Sequence, residues 1–291
     1  MVSQGKSGKV LSEVVSGLEQ TRAFDGPGEV VSGVVRHLTA SDAIKSALSG
    51  SWLGHALHPL MTDLPIGFWT SGVALDLVGG QDAEAGADLL VALGNLSALG
   101  TAATGLADWS DSFGPEKRLG IWHGLANGAG LALMTASMLA RKSGARGLGR
   151  ALGFAGLGVA SASAYLGGHL VYARGMGVQR AGFDIDQAVS DWTDVAAEAD
   201  LVDGKPLKVS AGDVSVMLLR QDGHLSALAS MCTHAGGPLD EGAFKDGCVT
   251  CPWHGSRFEL ADGSVQRGPA SIPQPTFQTR VRDGRVEVRA A

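Results

Sequence analysis

CTHAGGPLDEGAFKDGCVTCPWH, residues 232–254, is the stretch that decides the fold of the C-terminal part of the chain. It contains Cys232-Thr233-His234 and, 16 residues later, Cys251-Pro252-Trp253-His254. Each short segment therefore carries one cysteine and one histidine, and both side chains are metal ligands. The pattern predicts a metal centre held by Cys232, His234, Cys251 and His254.

Two kinds of metal centre use this set of ligands. In a Rieske-type [2Fe–2S] cluster two thiolates bind one iron and two imidazoles bind the other. A Cys2His2 zinc site has the same four side chains, but zinc fingers usually pair Cys with Cys and His with His along the chain. Because each segment here is mixed, the spacing favours the iron–sulfur cluster, with zinc as the alternative. The third cysteine, Cys248, is expected to be a buried thiol outside the centre.

The longer run CTHAGGPLDEGAFKDGCVTCPWHGSRFELADGSVQRGPA, residues 232–270, resembles the Rieske domains of ferredoxins and oxygenase-associated proteins. The resemblance includes a Gly-Gly-Pro turn after the first ligands and Gly268-Pro269-Ala270, which matches the loop that covers the cluster. It implies small antiparallel sheets with the cluster at one tip. We expect His234 and His254 to form the edge through which electrons pass.

Four residues near the ligands bear on the reduction potential that this resemblance implies. Thr233 and Trp253 occupy the positions of two cysteines that form a disulfide in high-potential members, so that bridge is absent. Ser256 matches a serine that donates to a cluster sulfur, whereas Phe258 replaces a second donor, a tyrosine. One donor of two implies an intermediate to low potential within the Rieske range of roughly −150 to +300 mV.

The residues around this motif predict a small all-β domain over 183–291. Short segments alternate β-branched and polar residues, and Asp-Gly pairs recur between them. Val-Arg-Asp-Gly-Arg-Val at 281–286 is a hairpin signal, because Asp-Gly favours the turn that joins two antiparallel strands.

The middle of the chain, residues 51–180, predicts an α-helical transmembrane four-helix bundle. A bilayer is crossed by about 20 apolar residues in a helix. Residues 59–78 form a weaker candidate span because Asp63 and Asp76 lie in it. Three stronger runs of 19, 22 and 23 residues carry no charge: 89–107, 119–140 and 151–173.

Residues 1–50 predict an N-terminal segment of two amphipathic helices, because valine and leucine recur at helical spacing around Val14 and around Val34. The two helices could pack on the protein or lie on a membrane surface. We favour packing.

Ionisable side chains in the predicted bundle are candidates for a second redox centre. If the spans alternate in direction, these ionisable side chains lie near the end of the bundle from which the β domain continues. His123 and His169 then reach similar depth, about 6 Å below that end, and could ligate haem b. A non-haem metal held by His and Asp, and histidines that are merely hydrogen-bonded, are the alternatives. The candidate ligands are His55, His58, His123, His169, Asp63 and Asp108.

Segments such as Trp52-Leu53-Gly54-His55-Ala56-Leu57-His58-Pro59 and Tyr165-Leu166-Gly167-Gly168-His169-Leu170 resemble an uncharacterised bacterial four-helix membrane family. Members of that family are sometimes fused to a Rieske domain. The resemblance covers roughly residues 50–180 and implies a multi-pass protein of the cell membrane, in contact with the lipid bilayer, but brings no known activity.

Charge narrows the class of partner. The net charge of −6 argues against nucleic acid. The residues from 183 onward carry 16 acidic and 10 basic side chains, which favours a basic redox protein as partner. The N-terminus shows no basic head followed by an apolar run, and no disulfide is expected, so we expect the Rieske domain on the cytoplasmic side.

Together these features predict a membrane-anchored electron-transfer protein, a component of an oxidoreductase system. Two other classes stay open at this point. One is an enzyme that reduces a quinone or another small molecule at a membrane His/Asp site. The other is a membrane sensor whose cluster reports the redox state.

Overall fold

A computed structural model describes residues 6–179, 181 and 189–291. The described chain forms two compact units. The helical unit comprises the residues up to Ala40 together with Leu57–Met176. The β unit comprises Ser41–Ala56 together with Gly177–Ala291. The predicted division at residues 50 and 180 stays a prediction, and the contacts place the short stretch 41–56 with the strands rather than with the helices.

The helical unit is built mainly from long helices, and each of the four predicted spans lies in one of them. Helix α4 packs against α5, and α6 packs against α7. Gly156 of α7 allows the close approach of the second pair, because a Cβ there would lie 3.2 Å from the Gly130 carbonyl oxygen of α6. The helices of this unit are α1 (Lys6–Glu19), α2 (Asp25–Leu38), α4 (Leu57–Val78), α5 (Glu84–Trp109), α6 (Gly114–Lys142) and α7 (Arg146–Tyr172). A further helix, α3 (Asp42–Ser49), belongs to the β unit.

Two segments of the described helical unit, Gln81–Trp109 and Arg146–Tyr172, are long and apolar enough to cross a membrane. Only 17% and 22% of their apolar windows are buried within the protein. Helices α4 and α6 contain the predicted spans 59–78 and 119–140. Neither helix is among the two segments that are apolar enough to cross a membrane. Polar side chains lower their mean hydropathy, among them Asp63 in α4 and Asn127 in α6. The helices are therefore as expected, whereas a four-span transmembrane bundle is not established.

An ion-pair network joins α4, α5, α6 and α7 at one end of the helical unit. The guanidinium of Arg141 donates to Asp76 and to Asp88, at 3.0 Å for each Nη1 contact. Arg146 donates to both carboxylate oxygens of Asp88 at 3.1 Å. The side chains of Asp76 and Arg141 are each 1% exposed. Charges removed from water to this degree need close partners, and here each has at least one.

The N-terminal helices contact the bundle in different ways. Val15 of α1 is buried against Leu119 of α6 and Leu170 of α7. Helix α2 instead turns Gly28 and Ser32 inward and leaves Val30, Val31 and Val34 exposed. The packing that we favoured from the sequence therefore holds for Val15 of α1, whereas most of the apolar side chains of both helices are exposed.

The described part of the β unit contains three antiparallel sheets, with strand orders β1-β10-β9, β2-β3-β4 and β5-β6-β7-β8. The predicted hairpin at 281–286 is confirmed: Arg282 pairs with Arg285 around Asp283 and Gly284, both of which have positive φ. The strands are β1 (Thr193–Ala197), β2 (Pro206–Ala211), β3 (Val214–Gln221), β4 (His224–Ala229), β5 (Ala243–Lys245), β6 (Cys248–Thr250), β7 (Arg257–Glu259), β8 (Val265–Arg267), β9 (Phe277–Arg282) and β10 (Arg285–Ala290).

Two apolar clusters fill this unit. One lies between the β1-β10-β9 and β2-β3-β4 sheets and includes Val216, Leu218 and Val288. The other includes Leu228 and Phe258 and extends to Cys232 and Cys251. The second cluster therefore packs against the two cysteines among the predicted ligands.

Candidate metal centre

Two loops of similar build carry the four predicted ligands. The first Cys-His loop, residues 232–237, follows β4, and the second Cys-His loop, residues 251–256, joins β6 to β7. In the first, the Gly236 N–H donates to the Cys232 carbonyl and the Cys232 N–H donates to the Gly237 carbonyl, each at 2.8 Å. The second loop has the same pattern. The Gly255 N–H donates to the Cys251 carbonyl at 3.1 Å, and the Cys251 N–H donates to the Ser256 carbonyl at 2.8 Å. Gly236 and Gly255 have φ of 80° and 71°, a conformation that favours glycine.

The loops place like donors together. Cys232 and Cys251 are 1% and 3% exposed, and their thiols lie within hydrogen-bonding reach of each other. The Nδ1 atoms of His234 and His254 are 3.2 Å apart, and the two rings meet edge to face. The donor set is therefore divided into one thiol pair and one imidazole pair.

The electrostatics of the two pairs suit metal ligation. The Cys232 thiol and the backbone N–H groups of Trp253 and His254 together lower the pKa of Cys251 to about 6, although burial raises it. The Cys251 sulfur and burial raise the pKa of Cys232 in turn. Burial lowers the pKa of His234 to about 3, with smaller effects from His254 and Lys45. A neutral imidazole keeps a nitrogen lone pair, which a metal ligand requires.

This arrangement fits a binuclear cluster. A [2Fe–2S] cluster needs a thiol pair at one iron and an imidazole pair at the other, which is the division seen here.

Ser256 and Phe258, the two residues predicted to tune the cluster, are both fully buried beside the second Cys-His loop. The Ala270 N–H donates to the Ser256 Oγ at 3.0 Å, so the serine is tied to the covering loop, residues 268–270. A serine hydroxyl that accepts this bond still carries its own hydrogen to donate. Cys248 lies apart from the centre, and its Sγ is 3.6 Å from the Glu259 carboxylate.

Gln274 holds the first Cys-His loop and was missed by reasoning from the sequence. Its side chain is 2% exposed, and its Nε2 donates to the carbonyls of Ala229 and Met231 at 2.7 Å each. Its Oε1 accepts the Thr233 N–H at 3.1 Å. A glutamine between two prolines, 20 residues after the motif, belongs to no pattern that would reveal this role.

His58 and His123 of the helical unit each have hydrogen-bonding partners of their own. His58 Nδ1 lies 3.1 Å from the Thr101 carbonyl and 3.2 Å from the Thr104 hydroxyl. His123 Nδ1 lies 2.9 Å from the Ser163 carbonyl, and Asn127 donates to His123 Nε2 at 3.1 Å. Both rings pack over a glycine, Gly105 for His58 and Gly167 for His123.

The remaining candidates lie elsewhere. His169 Nε2 is 3.5 Å from the carboxylate of Glu19, which also pairs with Arg174. His55 is exposed and belongs to the β unit, and Asp63 is exposed. Because both nitrogens of His123 have partners and His169 faces Glu19, the predicted haem between them has no support in this structure. The alternative of hydrogen-bonded histidines describes His58 and His123 best. Asp108 also has a partner and is half-buried.

Comparison with known families agrees with both halves of this description. Residues 191–278 match the family model of the Rieske [2Fe-2S] domain, and residues 54–180 match that of a predicted membrane protein (DUF2231). The chain therefore joins a DUF2231 domain to a Rieske domain, and the latter implies a [2Fe–2S] cluster.

Individual relatives such as the following match about a third of this chain. The chain is 28% identical over 103 residues to the anthranilate 1,2-dioxygenase ferredoxin subunit of Burkholderia cepacia, which is 35% of this chain and 95% of the relative. It is 34% identical over 92 residues to apoptosis-inducing factor 3 of Mus musculus, 32% of this chain and only 15% of that protein. Among solved structures, the ferredoxin of carbazole 1,9a-dioxygenase from Nocardioides aromaticivorans IC177 is 26% identical. It covers 35% of this chain and 100% of its own length, with a TM-score of 0.33.

Proposed function

We propose that this chain is a membrane-anchored electron-transfer protein whose β unit holds its [2Fe–2S] cluster through Cys232, Cys251, His234 and His254. The observation that carries the proposal is the buried thiol pair beside the imidazole pair, held by two loops of the same hydrogen-bond pattern. A Rieske cluster in such a site takes up and releases one electron at a time.

The residues of the site have distinct tasks in this proposal. The backbone N–H groups of the two loops stabilise sulfur that carries negative charge. His234 and His254 form the ligand edge toward the surface. Trp253, which is 50% exposed and lies edge to face with His254, covers one side of that edge. The apolar cluster beneath keeps water from the sulfur side.

We propose a basic redox protein as the partner. The B. cepacia relative is the ferredoxin subunit of anthranilate 1,2-dioxygenase. The acidic excess after residue 183 would attract a basic surface.

Electron transfer to a basic one-electron acceptor tests this function. We expect the reduced full-length protein to pass one electron per cluster to ferric cytochrome c, oxidising the cluster and reducing the haem iron without proton transfer. The second-order rate should fall as salt is raised from 0.05 to about 0.5 M, since screening weakens attraction between opposite surfaces. Stopped-flow absorbance measures this, and a protein that reduces no acceptor would contradict the proposal.

We further propose that the helical unit crosses the membrane more than once, with the β unit in the cytoplasm. The DUF2231 match and the two apolar helices, α5 and α7, support a membrane location. The protein should stay in the membrane pellet after a carbonate wash, because apolar helices exposed to this degree are unstable in water. Recovery in the supernatant would contradict it. Protease added to intact cells should leave the β unit uncut if it lies inside.

A further inference from the structure

Helix α3 reaches the candidate centre from a distant part of the sequence. One carboxylate oxygen of Asp42 accepts a hydrogen bond from Arg257 Nη2 at 2.8 Å, and the other lies 2.8 Å from Arg267 Nε. Arg257 begins the strand that follows the second Cys-His loop, and Arg267 ends the strand before the covering loop. Asp42 therefore bridges two cations that flank the site.

Arg267 is itself tied to both loops. Its Nη1 donates to the carbonyl of Gly255, the residue after His254, at 3.0 Å. The same nitrogen donates to the carbonyl of Gly268, the first residue of the covering loop, at 3.0 Å. The position of this guanidinium is thus set by the backbone that surrounds the predicted cluster.

The segment that carries Asp42 packs closely on the covering loop. Ser46 Oγ accepts the Gly268 N–H at 3.3 Å, and Ser51 Oγ donates to the Ala270 carbonyl at 2.7 Å. A Cβ at Gly268 would lie 2.9 Å from Ser51 Oγ and 3.0 Å from Ser49 Oγ, so no side chain fits between them. Asp42 is held at the site by these contacts and not by its ion pairs alone.

The charges of Asp42, Arg257 and Arg267 would affect the equilibrium between the oxidised and the reduced cluster. A reduced cluster carries one more negative charge than an oxidised one, so nearby cations favour reduction and nearby anions oppose it. Arg257 and Arg267 are 36% and 21% exposed, which leaves their field partly unscreened. The Arg257 guanidinium holds the pKa of Asp42 below its usual range, so the carboxylate stays charged at neutral pH. Lys45, 2% exposed and one turn along α3, adds a further positive charge.

We propose that Asp42 sets the reduction potential of the cluster, holding it lower by neutralising Arg257 and Arg267. This inference rests on the proposed cluster ligation. Asp42 acts through the two arginines and the loops they hold, and is a positioning residue, not a ligand.

The test is a redox titration of the full-length holoprotein and its variants, followed by the EPR signal of the reduced cluster. We expect Asp42→Asn to raise the equilibrium constant for reduction by about two- to fivefold, the order of magnitude for removing one charge in mostly solvated surroundings. For a one-electron couple, at 59 mV per tenfold, this is about 20 to 40 mV upward. Arg257→Gln should shift the constant by a similar factor in the opposite direction. Asp42→Glu, which keeps the charge, should restore the unmodified value.

Asp194→Asn is the matched control, because Asp194 also pairs with an arginine of the β unit, Arg285, but in the β1-β10 pair. Its potential should equal that of the unmodified protein. Shifts of the potential in the same direction in Asp42→Asn and Arg257→Gln, or no shift in either, would overturn the inference. Loosened packing alone would not shift the potential in opposite directions in the two variants. If Asp42→Asn loses the cluster, the direction of the shift in Arg257→Gln decides alone. Failure of the proposed function is a different result: the unmodified protein would then show no cluster signal.

Discussion

We expect purified Cys251→Ser and His254→Ala proteins to lose their [2Fe–2S] cluster, and the unmodified protein to contain about two iron atoms and two acid-labile sulfides per chain. This is the largest effect that we expect. Cys251 is 3% exposed and stands beside Cys232, and His254 Nδ1 faces His234 Nδ1, so no other donor of either kind replaces the one removed. Iron and sulfide analysis with visible absorbance measures the loss.

The chain offers a control for each variant. Cys248 is a buried thiol three residues before Cys251, but it faces Glu259, so Cys248→Ser should keep the cluster. His224 is exposed in the β unit at the start of β4, and His224→Ala should also keep it. Stoichiometric zinc without labile sulfide in the unmodified protein would contradict both the cluster and its ligands.

The second large effect concerns the ion-pair network of the helical unit. Asp76→Asn should lower the free energy of unfolding by about 3 kcal/mol, because it leaves the buried guanidinium of Arg141 without its principal partner. Both side chains are 1% exposed, so water cannot replace the lost carboxylate. Asp88, 3.0 Å from Arg141, keeps part of the compensation. Unfolding in mixed micelles with increasing SDS measures the change.

Asp82→Asn, at an exposed aspartate before α5, is the control and should leave stability unchanged. The double variant Asp76→Asn with Arg141→Met should be less destabilised than the sum of the two single variants, since it removes both buried charges. Equal stability of Asp76→Asn and the unmodified protein would show that the network contributes nothing.

Local patterns predicted the secondary structure well. Three uncharged runs and one apolar run with two aspartates predicted the four long helices, because helix length and apolarity are both properties of neighbouring residues. Asp-Gly pairs predicted turns of the β unit because glycine readily takes positive φ, and Asp283 with Gly284 shows this. The two Cys-His segments predicted their own pairing because thiol and imidazole chemistry limits what such spacing can do.

Contacts between distant residues were not predictable in the same way. The similar heights of His123 and His169 along their helices suggested a haem, but height does not fix the direction in which a side chain points around the helix. One residue turns a helix by about 100°, so equal height leaves the facing side undetermined. Asp42 with its arginines, and Gln274 with the first Cys-His loop, are polar residues of ordinary appearance. Nothing local to them marks a partner across the fold.

The contacts of α3 also impose an order on biosynthesis. Asp42 and Arg257 are 215 residues apart, and Ser46 and Gly268 are 222 apart. At 5 to 20 residues per second, the ribosome delivers the second partner about 10 to 40 seconds after the first. The β unit therefore cannot assume its complete form while the helical unit is being made, and cluster insertion that needs the covering loop in place must follow the synthesis of that loop. A separately expressed fragment beginning near residue 183 would lack Asp42, Ser46 and Ser51. Its covering loop would therefore lack the hydrogen bonds that Ser46 and Ser51 make to it.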